Sequence, residues 1–74
     1  MLTWGCDDRL EILSLYNKLH SAGILHVDVE PRHWLRHPHD GRIRLIDFDM
    51  AVVGPSEVEK ALEIERVKDL LRLH

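Results

Sequence analysis

The sequence has a single cysteine, no long hydrophobic run and no excess of basic residues. Each of these features excludes a class of protein. Cys6 is the only cysteine among 74 residues, so no disulfide can form within the chain and nothing favours secretion. No apolar run approaches the ~20 residues of a membrane-spanning helix. The formal net charge of −3 gives no general attraction to nucleic acid or to an anionic membrane. We therefore expect a cytosolic or nuclear protein with neither of these partners.

The length and composition are those of one small globular unit. Hydrophobic residues make up 45% of the chain and charged residues 31%, which is an ordinary balance for a folded protein. A domain of this size buries only about 60% of its unfolded surface, so its stability is marginal. We expect a single domain over residues 1–74.

The first helix is predicted over residues 7–22. Asp8 followed by Glu11 is typical of a capping box at a helix start, and Gly23 is typical of a helix end. Apolar side chains recur between these signals at helical spacing, at Leu10, Leu13, Tyr16 and Leu19.

A second helix is predicted over residues 56–73. Gly54 and Pro55 break the preceding segment, and Ser56 with Glu59 repeats the capping-box pattern. The apolar positions that follow predict a broad hydrophobic face, formed by Val58, Ala61, Leu62, Ile64, Val67, Leu70 and Leu71.

Short strands are predicted between the two helices, which indicates an α+β fold. Residues 34–36 and 42–46 read as strands, and the turn-forming residues 38–41 join them in a hairpin. Asp28 and Asp47 each follow a short apolar run, one before and one after this hairpin. We therefore expect the two carboxylates to lie at the same end of a small sheet.

Two motifs in this region resemble the catalytic core of protein kinases. Residues 26–33 read H-V-D-V-E-P-R-H, which is similar to the catalytic loop H-R-D-x-x-x-x-N, and residues 47–49 read D-F-D, which is similar to the metal-binding D-F-G. The resemblance extends over about residues 10–52. It implies a fragment of the kinase C-lobe, in the order helix, catalytic loop, short β-hairpin and helix. The implied activity is transfer of the ATP γ-phosphate to a hydroxyl acceptor, with ATP and Mg²⁺ as cofactors.

The resemblance also assigns roles to individual residues. Asp28 matches the catalytic aspartate, which orients the acceptor hydroxyl and takes its proton. Asp47 matches the metal-binding aspartate, and His33 stands where kinases place the asparagine of the second metal, so both are implied cofactor and metal ligands. His26 matches a structural histidine that hydrogen-bonds the metal-loop backbone, and Phe48 matches a packing anchor.

Several positions depart from the kinase pattern. His33 offers imidazole where Mg²⁺ prefers oxygen, Glu30 replaces a lysine that steadies the transferring phosphate, and Asp49 replaces a glycine. The chain has no glycine-rich phosphate loop and no lysine in a matching strand. We therefore expect the 74 residues alone to be inactive without a partner chain or further sequence. The alternative is a catalytically inactive pseudokinase remnant that binds a partner, or itself, through apolar helix faces.

Two other features have plainer interpretations. His33, His37 and His39 could bind Zn²⁺ with His26 or Asp40, but Pro38 and Gly41 favour an exposed turn with solvated histidines. A zinc module would be stabilised by Zn²⁺, and His37→Ala would remove that stabilisation. Four arginines surround the hairpin, and we expect them to form a solvated basic face rather than an RNA site. They are Arg32, Arg36, Arg42 and Arg44.

Overall fold

The computed structural model describes residues 5–72, which form two helices and two small antiparallel sheets. This confirms the α+β class. The elements in order are α1 (Cys6–Ser21), β1 (Ile24–Leu25), a 3-10 turn (Pro31–His33), β2 (Trp34–Arg36), β3 (Ile43–Leu45), β4 (Val52–Val53) and α2 (Glu57–Leu71). No helix in this described part has the combined length and hydrophobicity that crossing a membrane requires.

Helix α1 begins one residue earlier than predicted, at Cys6, and its cap lies at Gly5 rather than at Asp8. Gly5 is the N-cap, and the Asp8 carboxylate accepts a hydrogen bond from the Gly5 backbone N–H at 3.2 Å. The predicted pairing of Asp8 with Glu11 is therefore wrong, because Glu11 instead accepts from the Ile43 N–H of β3 at 2.9 Å. The helix ends at Ser21, and the expected stop residue Gly23 follows with φ of +79°, a conformation that glycine adopts without strain.

Helix α2 starts with the predicted capping box. The Glu59 N–H donates to the Ser56 hydroxyl at 3.1 Å, and the Ser56 N–H donates to the Glu59 carboxylate at 2.9 Å. The Ser56 backbone N–H, and after it the Ser56 side chain, stabilise the ionised Glu59 carboxyl and hold its pKa below its usual value. The two helices pack against each other, and the last described residue after α2, Arg72, lies in a left-handed conformation.

The hydrophobic face of α2 differs from the prediction. Val67 and Leu71 are buried, but Val58 and Leu62 remain 68% and 65% exposed. The buried residues of α2 instead begin with Glu63, which Val67 and Leu71 follow at intervals of four residues. A charged residue therefore occupies a position that periodicity assigns to an apolar neighbour.

The sheets are short and arranged around the middle of the chain. In the predicted hairpin, β2 pairs with β3 so that Trp34 lies opposite Leu45 and Arg36 opposite Ile43. Strand β1 pairs with β4, which places Leu25 opposite Val52. The second pairing was not predicted, because two-residue strands have no periodicity to detect.

Among residues 5–72, the core combines seven buried residues from both helices, the hairpin and the loop after β1. They are Ile12, Tyr16, Val29, Trp34, Ile43, Val67 and Leu71. The core is small, so each of its contacts is a large fraction of the total stability.

A directed chain of hydrogen bonds crosses this core. The Trp34 indole N–H donates to the Tyr16 hydroxyl at 3.0 Å, and the Tyr16 hydroxyl lies 2.8 Å from His26 Nδ1. His26 Nε2 is 2.8 Å from the Ile46 carbonyl oxygen. Because a carbonyl only accepts, Nε2 carries the imidazole proton and Nδ1 accepts from Tyr16. The chain therefore joins β2, α1 and both loops in one fixed direction.

Removal of the Tyr16 hydroxyl should leave Trp34 Nε1 and His26 Nδ1 without this partner. Because both groups are buried, we expect Tyr16→Phe to lower the free energy of unfolding by about 2 to 4 kcal/mol in a urea titration. Ser14→Ala, on the exposed side of the same helix, is the control and should stay within about 0.5 kcal/mol of wild type. Equal stability of the two variants would contradict the hydrogen-bond chain.

The same hydroxyl predicts a loss of stability at alkaline pH. Burial raises the pKa of Tyr16 well above its ordinary 10.0, although the Trp34 hydrogen bond opposes the rise. A pKa raised on folding contributes stability that is intact below the unfolded pKa and is lost as pH rises toward the folded one. The unfolding free energy of wild type should therefore fall more steeply than that of Tyr16→Phe above about pH 10. Parallel pH profiles for the two chains would contradict this.

Candidate functional site

Three of the predicted site residues lie together. Asp28, His33 and Asp47 each offer one ligating atom, and these atoms all lie within 4.8 Å of one another. Among residues 5–72 they are the one group of three or more His, Cys, Asp or Glu side chains close enough to share an ion. Asp28 and Asp47 are partly exposed, whereas His33 is buried.

His33 is oriented by the loop that carries it. It ends the 3-10 turn, where its backbone N–H donates to the Glu30 carbonyl at 2.9 Å. Its ring Nδ1 lies 3.0 Å from the Asp28 carbonyl oxygen. Since that oxygen can only accept, Nδ1 is the protonated nitrogen, and Nε2 is directed to the Asp47 carboxylate 3.0 Å away.

The backbone of Ile46 fixes Asp47 beside His33. The Ile46 N–H donates to the His33 carbonyl at 2.9 Å, and the Ile46 carbonyl accepts from the His26 imidazole at 2.8 Å. Asp47 follows directly and adopts φ of +64°, a left-handed conformation that aspartate tolerates better than most residues. The hairpin and the core histidine thus determine together where the second carboxylate lies.

The backbone just before Asp28 is strained. The Asp28 N–H donates to the His26 carbonyl at 2.9 Å, which closes a γ-turn centred on Val27. Val27 has φ of +72°, a conformation that a β-branched residue adopts only when its surroundings impose it. The following Val29 N–H donates back to Val27 at 2.9 Å and continues the tight path of the loop.

The buried carboxylate of Glu63 holds this strained turn in place. It accepts from the Val27 N–H at 2.7 Å and from the His26 N–H at 3.1 Å. His20 Nε2 lies 2.8 Å from the same oxygen that binds His26. Helix α2 therefore sets the position of Asp28 through two backbone hydrogen bonds.

Glu63 was missed as a site residue because its side chain is one of several acidic groups on α2. No local pattern distinguishes it from Glu65, which is exposed. The available signal was its place in the helix register, since Glu63 lies four residues before Val67 and eight before Leu71. A carboxylate on the buried stripe needs hydrogen-bond donors, and the loop supplies them.

His26 and Phe48 lie where the two loops meet. His26 is fully buried, and its Nε2 lies 2.8 Å from the Ile46 carbonyl oxygen, just before Asp47. The Phe48 ring packs on the His26 ring with centroids 4.8 Å apart, yet 42% of Phe48 remains exposed. The structural roles of both remain predictions.

The positions that depart from the kinase pattern lie around the group. Glu30 is 3.8 Å from the Arg66 guanidinium of α2, so its negative charge faces a basic partner. Asp49 lies in an exposed turn outside the ligating group, and its φ is not positive. The backbone freedom of glycine is therefore not required at position 49. The positive φ lies two residues earlier, at Asp47.

The rival zinc set is not assembled within the described residues. His37 and His39 lie close, with ring centroids 5.4 Å apart, but His33 faces the two aspartates and both nitrogens of His26 are occupied in the core. Asp40 accepts from the Arg42 N–H at 2.9 Å and from Arg44 at 2.8 Å. These contacts hold the pKa of Asp40 below its usual value.

The arginines around the hairpin are partly neutralised. Arg36 forms an ion pair with Asp8 and donates to the Gly41 carbonyl at 2.6 Å, and Arg44 pairs with Asp40. At least two of the four basic groups therefore stabilise the hairpin and its contact with α1. The solvated basic face as a whole stays a prediction.

Comparisons of the chain with models of protein families, with curated proteins and with solved structures found no match.

Replacement of Glu63 tests its hold on the loop. Glu63→Gln keeps the shape but puts an amide donor against a backbone N–H, so we expect the free energy of unfolding to fall by about 3 kcal/mol. Hydrogen exchange of the Val27 and His26 amides should accelerate at least about tenfold. Glu65→Gln, two residues along the same helix, is the control and should change neither quantity. Unaltered exchange at Val27 in Glu63→Gln would show that the loop keeps its shape without this carboxylate.

Proposed function

We propose that the chain is part of a protein kinase-like phosphotransferase that transfers the γ-phosphate of ATP to a hydroxyl acceptor. The observation that supports the proposal is the proximity of Asp28 and Asp47 to His33. They come from two loops in the order that the kinase resemblance requires, and their ligating atoms lie within 4.8 Å. Neither of the two sequence motifs, residues 26–33 and 47–49, requires this proximity by itself.

The proposed chemistry assigns separate tasks to the two carboxylates. The Asp28 carboxylate orients the acceptor hydroxyl and takes its proton as the acceptor oxygen bonds to the γ-phosphorus. The bond from that phosphorus to the bridging oxygen breaks, and ADP leaves with the electron pair. Asp47 with His33 would hold the divalent ion, which would supply neutralisation of the phosphate charge. Of the three donors, the two carboxylates suit Mg²⁺ and the imidazole does not.

The proposed activity needs parts that these 74 residues do not contain. The sequence has no glycine-rich loop or matching lysine to hold the nucleotide phosphates, so a partner chain or additional sequence must supply them. The 74-residue chain by itself is expected to bind nucleotide weakly and to show no turnover. The proposed location remains the cytosol or nucleus.

An inactive interaction module is the second candidate, and exposed apolar side chains favour it. Val53 is 86% exposed, and Val58 and Leu62 expose two thirds of their surface. A pocket of about 250 Å³ adjoins Leu62, lined also by Leu25, Val27 and Val29. Such a surface suits a partner chain or a second copy.

Nucleotide binding separates the two functions. We expect Mg²⁺-ATP to shift ¹H–¹⁵N resonances of the wild-type chain at the loops that carry Asp28 and Asp47. Asp47→Asn should weaken this binding at least about tenfold, because asparagine tolerates the same backbone conformation but lacks the charge. Asp28→Asn should weaken binding less than Asp47→Asn does, and it should reduce turnover by about a hundredfold in an assembly that restores turnover.

The matched control is Asp7→Asn, which alters an exposed carboxylate on α1 outside the ligating group. Its nucleotide affinity should equal that of wild type. A folded wild-type chain that shows no nucleotide-dependent shifts would favour the interaction module. Equal affinities of wild type and Asp47→Asn would refute the metal-binding role of Asp47.

A further inference from the structure

We propose that Asp28, His33 and Asp47 select a first-row transition-metal ion, represented by Mn²⁺, over Mg²⁺. The inference rests on the proposed function, because it names the ion that would bring nucleotide phosphates to this site. It differs from what the kinase resemblance implies, since that resemblance implies Mg²⁺. The disagreement comes from the donor set itself.

The tautomer of His33 leaves the correct nitrogen available for a metal. Nδ1 donates to the Asp28 carbonyl at 3.0 Å, so the lone pair of Nε2 points toward Asp47. A histidine ligand in a metal site is typically held in this way, with its second nitrogen donating to a carbonyl or a carboxylate. The His33 side chain is only 5% exposed, so it cannot readily rotate away from this orientation.

The separation of the two donor atoms also indicates a shared cation. Nε2 and the Asp47 oxygen are 3.0 Å apart. If Nδ1 carries the only ring proton, two hydrogen-bond acceptors face each other, the Nε2 lone pair and the Asp47 carboxylate oxygen. A proton on Nε2 or a cation bound by both atoms removes that repulsion. Ligands bound at right angles, each about 2.1 Å from an octahedral ion, lie about 3.0 Å from one another. The observed spacing therefore suits two adjacent positions of one ion.

Asp28 contributes negative charge to the group, whereas Asp47 and His33 form its closest pair of donor atoms. Its carboxylate lies 3.9 Å from Nδ1, the nitrogen on the side of the ring away from Asp47. Two carboxylates and one neutral imidazole together balance a divalent ion. The partly exposed Asp28 oxygen thus stays accessible to an acceptor hydroxyl.

The imidazole decides which divalent ion is favoured. Mg²⁺ is a hard ion that prefers oxygen donors and releases its water reluctantly, so an enforced nitrogen ligand weakens its binding. Mn²⁺ accepts carboxylate oxygens as Mg²⁺ does, and its affinity for nitrogen donors is greater. We expect Mn²⁺ to bind the full chain at least about tenfold more tightly than Mg²⁺.

The test is a titration of the full 74-residue chain with Mn²⁺ alone, without nucleotide. Free Mn²⁺ is measured by electron paramagnetic resonance, and competition with Mg²⁺ gives the preference between the ions. Paramagnetic broadening in a ¹H–¹⁵N spectrum locates the ion, and it should be strongest at residues 28, 33 and 47. His33→Asn restores an oxygen donor and should lower the preference for Mn²⁺ by about tenfold.

Two further variants make the test decisive. His39→Asn removes an exposed histidine outside the group and should leave the preference unchanged. Asp47→Asn should abolish the local broadening while the spectrum stays dispersed, which covers the case in which the buried His33 variant does not fold. Broadening centred on residues 37 and 39, or equal affinities of wild type for the two ions, would overturn the proposal.

The outcome is distinguishable from that of the proposed function. Nucleotide binding that is supported equally by Mg²⁺ and Mn²⁺ would overturn the metal selectivity and leave the phosphotransferase proposal intact. Tight Mn²⁺ binding at residues 28, 33 and 47 with no nucleotide bound in its presence would support the selectivity and overturn the phosphotransferase proposal.

Discussion

The geometry of the site depends on one buried carboxylate. Glu63 binds the backbone N–H groups of His26 and Val27, at 3.1 and 2.7 Å, and is close to His20. A buried carboxylate without donors would be costly, and a γ-turn at a valine would be costly without an external tie. Each group thus offsets the cost of the other. The helix and the loop are stable in these positions only as a pair.

A second set of contacts connects that loop to the hairpin. His26 uses one ring nitrogen for Tyr16 and the other for the Ile46 carbonyl, and the Ile46 N–H binds His33. Asp28 and Asp47 are therefore positioned by buried side chains and by backbone hydrogen bonds. Neither aspartate depends on a flexible side chain for its location, which is the arrangement that a preorganised site requires.

Local sequence signals predicted the helices, the hairpin and the proximity of Asp28 and Asp47, because each depends on periodicity, capping or turn chemistry within a few residues. They failed where distant segments decide the structure. The Asp8 prediction was wrong because Glu11 is engaged by Ile43, which lies 32 residues away. Glu63 was missed for the same reason, since its role depends on backbone donors that are more than 35 residues distant in sequence.

The hydrogen-bond chain through the core has an optical consequence. Trp34 is fully buried, and its indole N–H ends the chain that runs through Tyr16 and His26 to the backbone beside Asp47. Indole emission responds to the polarity and hydrogen bonding of its surroundings. In a chain with Trp4 replaced by phenylalanine, all tryptophan emission would come from Trp34, since the sequence has two tryptophans. The fold would then contain its own fluorescent reporter of loop position.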